Sequence, residues 1–171
     1  LMGEAATAVG GSLELLIFEL AGQLYALPSS VVKEVLRSFS VVPVPNAPPI
    51  VLGLINVRGE IMPLLSLRTR LGVEEKPLSL TDHFIIAKDE HRQVALRVDR
   101  VLNLQRVPFS RPFDPGRFAS GSEVISGIAT IPEGMVLIHD LGRFLSDSQR
   151  AQIDSAIREL ASASSKDETS T

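Results

Sequence analysis

One pattern occurs twice in this chain at a fixed offset, and it limits the available folds more than any other feature. Gly53 opens an apolar segment that passes through a turn into a second one and ends at "LLSLRTRL" (64–71). Gly127 opens the same succession, which ends at "IHDLGRFL" (138–145). The differences 127 minus 53 and 138 minus 64 both give 74. The preceding hairpins also correspond, "QLYAL" (23–27) with "RQVAL" (92–96). The physical reading is a duplication into two similar all-β halves of about five short strands each. Closing so small a sheet into a barrel removes its exposed edges. Each half is too small to hold a comfortable core alone, so the halves are expected to pack together. With 44% hydrophobic residues, a shared core is available.

Around the repeat, turn and cap signals divide the chain. "LELLIFEL" and "QLYALP" flank Ala21-Gly22, a hairpin signal. Ser29 or Ser30 is placed to cap a single helical turn at "SSVVKEVLR". "SFSVVPVPNAPPI" must be extended or looped, because proline donates no ladder hydrogen bond. "SLRTRLG" reads as a short helix closed by Gly72, and "VEEKPLSLTD" as a polar connector. In the second half, "HFIIAKD" and "QVALRVDRVLNLQRV" read as strands, with Glu90-His91 near their turn. "PFSRPFDPGRFASGSE" is a long loop, and "VISGIATI" with "MVLIHDL" forms a hairpin across Pro132-Glu133-Gly134. Ser146 and Gln149 have capping-box spacing, and Ile153, Ile157 and Leu160 share one face of the helix that follows. The expected division is therefore a flexible tail at 1–12, sub-barrels at roughly 13–73 and 82–146 with strand exchange between them open, a helix at 147–162, and a disordered tail at 163–171.

Several kinds of chemistry are disfavoured. No cysteine is present, so there is no disulfide, thiolate metal site or cysteine nucleophile, and a reducing cytoplasm fits. A net charge of −3, with seven Phe, one Tyr and no Trp, argues against a nucleic-acid partner. No apolar run approaches the roughly 20 residues of a membrane span, and the N-terminal stretch lacks the pattern of a signal peptide. Hydrolase-elbow, dinucleotide, phosphate-loop and zincin motifs are missing. His83, His91 and His139 have no neighbours at metal-ligand spacing, and Asp140 reads as a helix cap. No catalytic residue, cofactor or metal is expected.

What needs explaining is Arg58 in "GLINVRGEIMPLLSLR" (53–68). Strand alternation gives Ile55 and Val57 one face and Asn56 and Arg58 the other. The first face is core; the second is solvent, a cleft or an interface. Glu34 is the lone acid between two apolar pairs, Val31-Val32 and Val35-Leu36, and a candidate partner for Arg58.

These residues carry a resemblance. "GLINVRGEIMPLLSLRTRLG" is similar to the core motif of the CheW family of chemotaxis coupling proteins, Asn-x-Arg-Gly-x-Ile-x-Pro included. "LIFELAGQLYALPSSVVKEVLR", "VPVPNAPPIVLGLINVRG", "VALRVDRVLNLQRV" and "GIATIPEGMVLIHDLGRFL" fall in family order, over roughly residues 14–146. The resemblance implies two intertwined five-stranded barrels of SH3-like or OB-like type. It implies a cytoplasmic adaptor, without catalysis or cofactor, that joins chemoreceptor signalling tips to the regulatory domain of a CheA-type histidine kinase. That domain shares the fold and can join the adaptor in rings. By position, Glu34 and Arg58 match an ion pair beside the receptor groove, and Val32, Gly53 and Asn56 match positions tied to receptor docking or its scaffold.

For the kinase, Val41, Val42 and Val44 on a proline-stiffened edge are the expected patch, with ordinary core as the competing reading. Phe118 resembles a second, ring-forming contact, against a loop aromatic tucked onto its own barrel. Ser66 replaces the family's usual acid, which Asp140 keeps in the second repeat. Two alternatives stay open: a paralogue that binds receptor but not kinase, and a small-barrel nucleic-acid binder.

Overall fold

The computed structural model describes residues 12–108 and 125–169, without the side chains of 161 and 163–169. Among the described residues, ten strands fall into two five-stranded sheets. The first half supplies β1 (Ser12–Leu20), β2 (Gln23–Pro28), β3 (Val32–Arg37), β4 (Val51–Val57) and β5 (Glu60–Ser66), then helix α1 (Leu67–Leu71). The second supplies β6 (His83–Lys88), β7 (Gln93–Val98), β8 (Arg100–Pro108), β9 (Ile125–Ile131) and β10 (Gly134–His139). A 3-10 turn (Leu141–Arg143) and helix α2 (Asp147–Thr169) follow. No described helix is long and apolar enough to cross a membrane.

The sheet orders are β8-β1-β2-β10-β9 and β3-β6-β7-β5-β4. Replacing each strand of the first by its repeat equivalent, five places along the chain, reproduces the second. The duplication is therefore expressed with an exchange: each half lends its opening hairpin to the other half's last three strands. Of the two arrangements left open for the sub-barrels at 13–73 and 82–146, the sheet orders are those of strand exchange. One sheet is contiguous, from residues 32–98, and the other joins β1 and β2 to β8, β9 and β10. The exchanged hairpins dock through parallel pairs, Leu137 beside Tyr25 and Leu64 beside Ala95.

Exchange explains the unbroken apolar runs. On β1, Leu15 and Ile17 enter the interior of the first sheet with Ala26, Val136 and Ile138. Leu16, Phe18 and Leu20 enter a core shared between the sheets, with Leu65, Ile85, Leu96 and Phe144. On β6, Phe84 and Ile86 fill the interior of the second sheet while Ile85 and Ala87 face the shared core. A strand buried on both faces cannot show hydrophobic-polar alternation.

Local signals resolve in detail. Ala21 and Gly22 both have positive φ, the backbone of a tight two-residue hairpin turn. Ser66 caps α1 by accepting from the Thr69 N–H at 3.2 Å, and Gly72 closes it in the left-handed region. At the equivalent place, Asp140 caps the 3-10 turn through the Gly142 N–H. Ser146 and Gln149 form both bonds of a capping box, at 2.9 and 3.1 Å. The expected cap at Ser29 or Ser30 is not formed: the 3-10 turn Ser29–Val31 carries no side-chain cap, and the Ser29 hydroxyl donates to Glu14. Helix α2 continues to Thr169, past the expected end at 162. Its polar final turns contain no glycine or proline to stop them.

Two arginines pin the polar connector under the second sheet. Arg97 donates from Nε to Asp82 at 2.8 Å, and to the Lys76 and Pro77 carbonyls at 2.8 and 2.7 Å. Its side chain is 3% exposed and that of Asp82 is 2% exposed. Arg68 donates to the Glu74 carbonyl at 3.0 Å and to Asp99 at 2.7 Å. The same Asp99 oxygen accepts from the Ala21 N–H, which ties the exchanged hairpin to α1. His139 is the opposite case. Its ring is buried among Phe18, Tyr25 and Phe144, and neither nitrogen has a hydrogen-bond partner among the described residues. Burial pushes its pKa down to about 3.

Candidate interaction site

The Glu34–Arg58 pair forms. Arg58 donates from its two terminal nitrogens to the two carboxylate oxygens, at 2.6 and 2.7 Å, a bidentate fork. It lies at the surface, with side chains 71% exposed for Arg58 and 30% for Glu34. The Glu34 carboxyl is held below its ordinary pKa, first by the hydrogen bonds from Arg58 and then by its charge.

The route to this geometry differs from simple alternation. Arg58 is not a strand residue. Strand β4 ends at Val57, and Arg58 and Gly59 form the two-residue turn into β5, with φ of 52° and 88°. A left-handed backbone at arginine is unusual, and Gly59 is the residue type such a turn favours. Asn56 secures the turn by accepting from the Gly59 N–H at 2.8 Å. Glu34 is placed by a bulge in β3, where the register with β6 slips between Val32 and Glu34. The slip lets Val32 and Val35, three residues apart, both pack against the shared core. Val32 is half-buried there and supports the bulge more than it offers a surface. Ile61, register partner of Asn56, is 48% exposed. The sequence reading passed over it; alternation from the buried Met62 was the available signal.

Gly53 works as scaffold. An added Cβ would lie 2.5 Å from the Val42 carbonyl oxygen and 2.6 Å from a Val41 methyl. That closeness lets Val42 pair with β4, through bonds of 2.9 and 2.8 Å to Leu54. Gly53→Ala is expected to push this segment off β4 and cost about 1–3 kcal/mol, as overpacking does. Amide exchange at Val42 and Leu54 checks it, and unchanged protection there would refute the clash.

The three valines separate. Val42 is 57% exposed. Val41 is half-buried against the interior of the second sheet, and Val44 lies half-buried beneath α2. Phe118 lies outside the described residues. Among the described residues, no three His, Asp or Glu side chains are grouped to hold a metal ion. The chemistry on offer is a charged, bidentate platform and an apolar strand edge.

Comparison with known proteins gives a consistent set. A family model described as "CheW-like domain" matches residues 14–149. The chain is similar to the chemotaxis protein CheW of Treponema pallidum, 27% identical over 142 residues, covering 80% of this chain and 84% of that one. It is 24% identical over 147 residues to the CheW of Klebsiella aerogenes, covering 85% and 89%. Among solved structures it resembles the scaffolding protein TtCheW of Thermoanaerobacter tengcongensis. There the TM-score is 0.70 at 26% identity, over 80% of this chain and 94% of that one.

Proposed function

The chain belongs to the CheW-like family, and from that premise we propose that it is a non-enzymatic chemotaxis scaffold that couples chemoreceptor tips to the regulatory domain of a CheA-type histidine kinase. The observation that carries the reading is the exposed, bidentate Glu34–Arg58 pair on a turn with left-handed backbone. Ion pairs this exposed add little to stability. A fork fixed by a bulge on one side and a glycine turn on the other is suited to holding two opposite charges ready for a partner. Asn56 and Ile61 extend it with a polar and an apolar contact. Val42 offers a separate surface, an exposed valine on a segment paired to β4, suited to a partner sheet that adds along its edge.

Calorimetry on the purified protein tests both surfaces. Arg58→Ala is expected to abolish binding of the receptor tip and leave the melting curve in place. Val42→Asp is expected to abolish saturable one-to-one binding of the kinase regulatory domain, also without unfolding. A large drop in melting temperature for Arg58→Ala would make the pair structural and remove the receptor-site assignment. A wild-type protein that binds the receptor tip but not the kinase domain would be an array spacer, not a coupler.

A further inference from the structure

We infer that helix α2 is a positioning element for the Val42 edge. It buttresses the proline-rich segment beneath it, so that residues 41–44 reach a kinase domain already ordered. This inference rests on the kinase surface proposed above.

The segment after Val42 is poor in its own backbone bonds. Pro43, Pro45, Pro48 and Pro49 have no N–H to donate. Between the Val42–Leu54 bridge and Ile50, the backbone bonds among the described residues are Ala47 to Val44 at 3.4 Å and Val51 to Pro48 at 2.9 Å. Side-chain packing must therefore fix its position, and α2 contributes to it, since Ile50 and Ile153 are buried in the same core. Gln152, Ile153 and Ala156 close a small apolar cavity whose other walls include Val44, Pro48 and Leu54.

The helix is anchored firmly, as a buttress requires and a labile lid does not. Ile153 is buried in the shared core. Arg150 donates to Asp89 at 2.9 Å and to the Gly142 carbonyl at 3.3 Å. Arg92 pairs with Asp154. Both ion pairs tie α2 to the β6–β7 turn of the sheet that carries Val42. Val44 is half-buried beside α2 while Val42 stays open, so the helix supports the edge without occluding it.

Two full-length variants test this. Ala156→Glu places a carboxylate against the apolar cavity wall and keeps helix propensity. Ile153→Asp removes the buried anchor. Amide exchange within α2 reports undocking, and exchange at Val42 and Leu54 reports the edge. The expected result is lost protection at both edge amides. Kinase-domain affinity should fall about tenfold through lost preorganisation, and receptor-tip binding should not change. An undocked helix with full protection at Val42 and Leu54 would overturn the inference, as would tighter kinase binding, which would make α2 a mask. If Ile153→Asp fails to fold, Ala156→Glu carries the test. If the wild type binds no kinase domain, the kinase reading falls, and the edge amides alone decide whether α2 orders the segment.

Discussion

Arg97→Ala is expected to lower stability by about 3–5 kcal/mol, the cost of leaving a buried charge without its partner. Asp82, 2% exposed, would keep the Ser79 N–H as a donor but lose the guanidinium. The Lys76 and Pro77 carbonyls would lose their donor in the same change. The connector would then be held by Arg68, which donates to the Glu74 carbonyl, by Glu75, which accepts from Ser66 and Thr69, and by the Ser38 hydroxyl on the Ser79 carbonyl. Denaturant unfolding at pH 7 measures the loss. The double variant Arg97→Met with Asp82→Asn should recover a good part of it, since removing both charges leaves neither unpaired. A loss under about 1 kcal/mol for the single change would mean that solvent reaches Asp82 and that the network is peripheral.

The second large effect is a response to acid. His139 is neutral when folded, with a pKa of about 3 against an ordinary value of 6.5. The unfolded chain takes up this proton first as pH falls, so stability is full above about pH 6.5 and declines below it. Between pH 7 and pH 5 the decline amounts to about 2 kcal/mol from this group alone. His139→Phe places an apolar ring among Phe18, Tyr25 and Phe144. It should remove that slope, so the stability difference between variant and wild type should grow by about 2 kcal/mol in the variant's favour from pH 7 to pH 5. Parallel stability profiles would show that the ring finds a proton partner when folded.

Much of this was legible in the chain, for identifiable reasons. The offset of 74 survived because β4 with β5 and β9 with β10 are hairpins whose turns need fixed lengths. Gly72, Asp140 and the Ser146–Gln149 box are local devices, and local devices can be read locally. The exchange of hairpins was not readable, because an apolar strand does not encode which neighbour it pairs with. The resemblance to a known family supplied the meeting of Glu34 with Arg58; spacing alone left solvent, cleft and interface open. Alternation placed Arg58 in a strand because it cannot register where a strand ends and a left-handed turn begins. Arg97 escaped notice for a related reason. Its partners Asp82, Lys76 and Pro77 lie in a connector whose composition looks solvated. Val44 read as one of three equal valines because the helix covering it lies about a hundred residues further along the chain.

The exchanged hairpins also order events in time. Every strand of the second sheet lies within residues 32–98, so that sheet is complete in principle once this stretch has been made. The first sheet has no such freedom. Strands β1 and β2 are synthesised before all the others, yet their partners β8, β9 and β10 end at residue 139. The N-terminal hairpin must wait with both edges unpaired until β8 is made, and with the β2 edge unpaired until β10, more than a hundred residues on. For the same reason, a backbone cut in the connector at 73–82 would not release two modules. Each fragment would hold strands that only the other can complete, and the two would remain clasped.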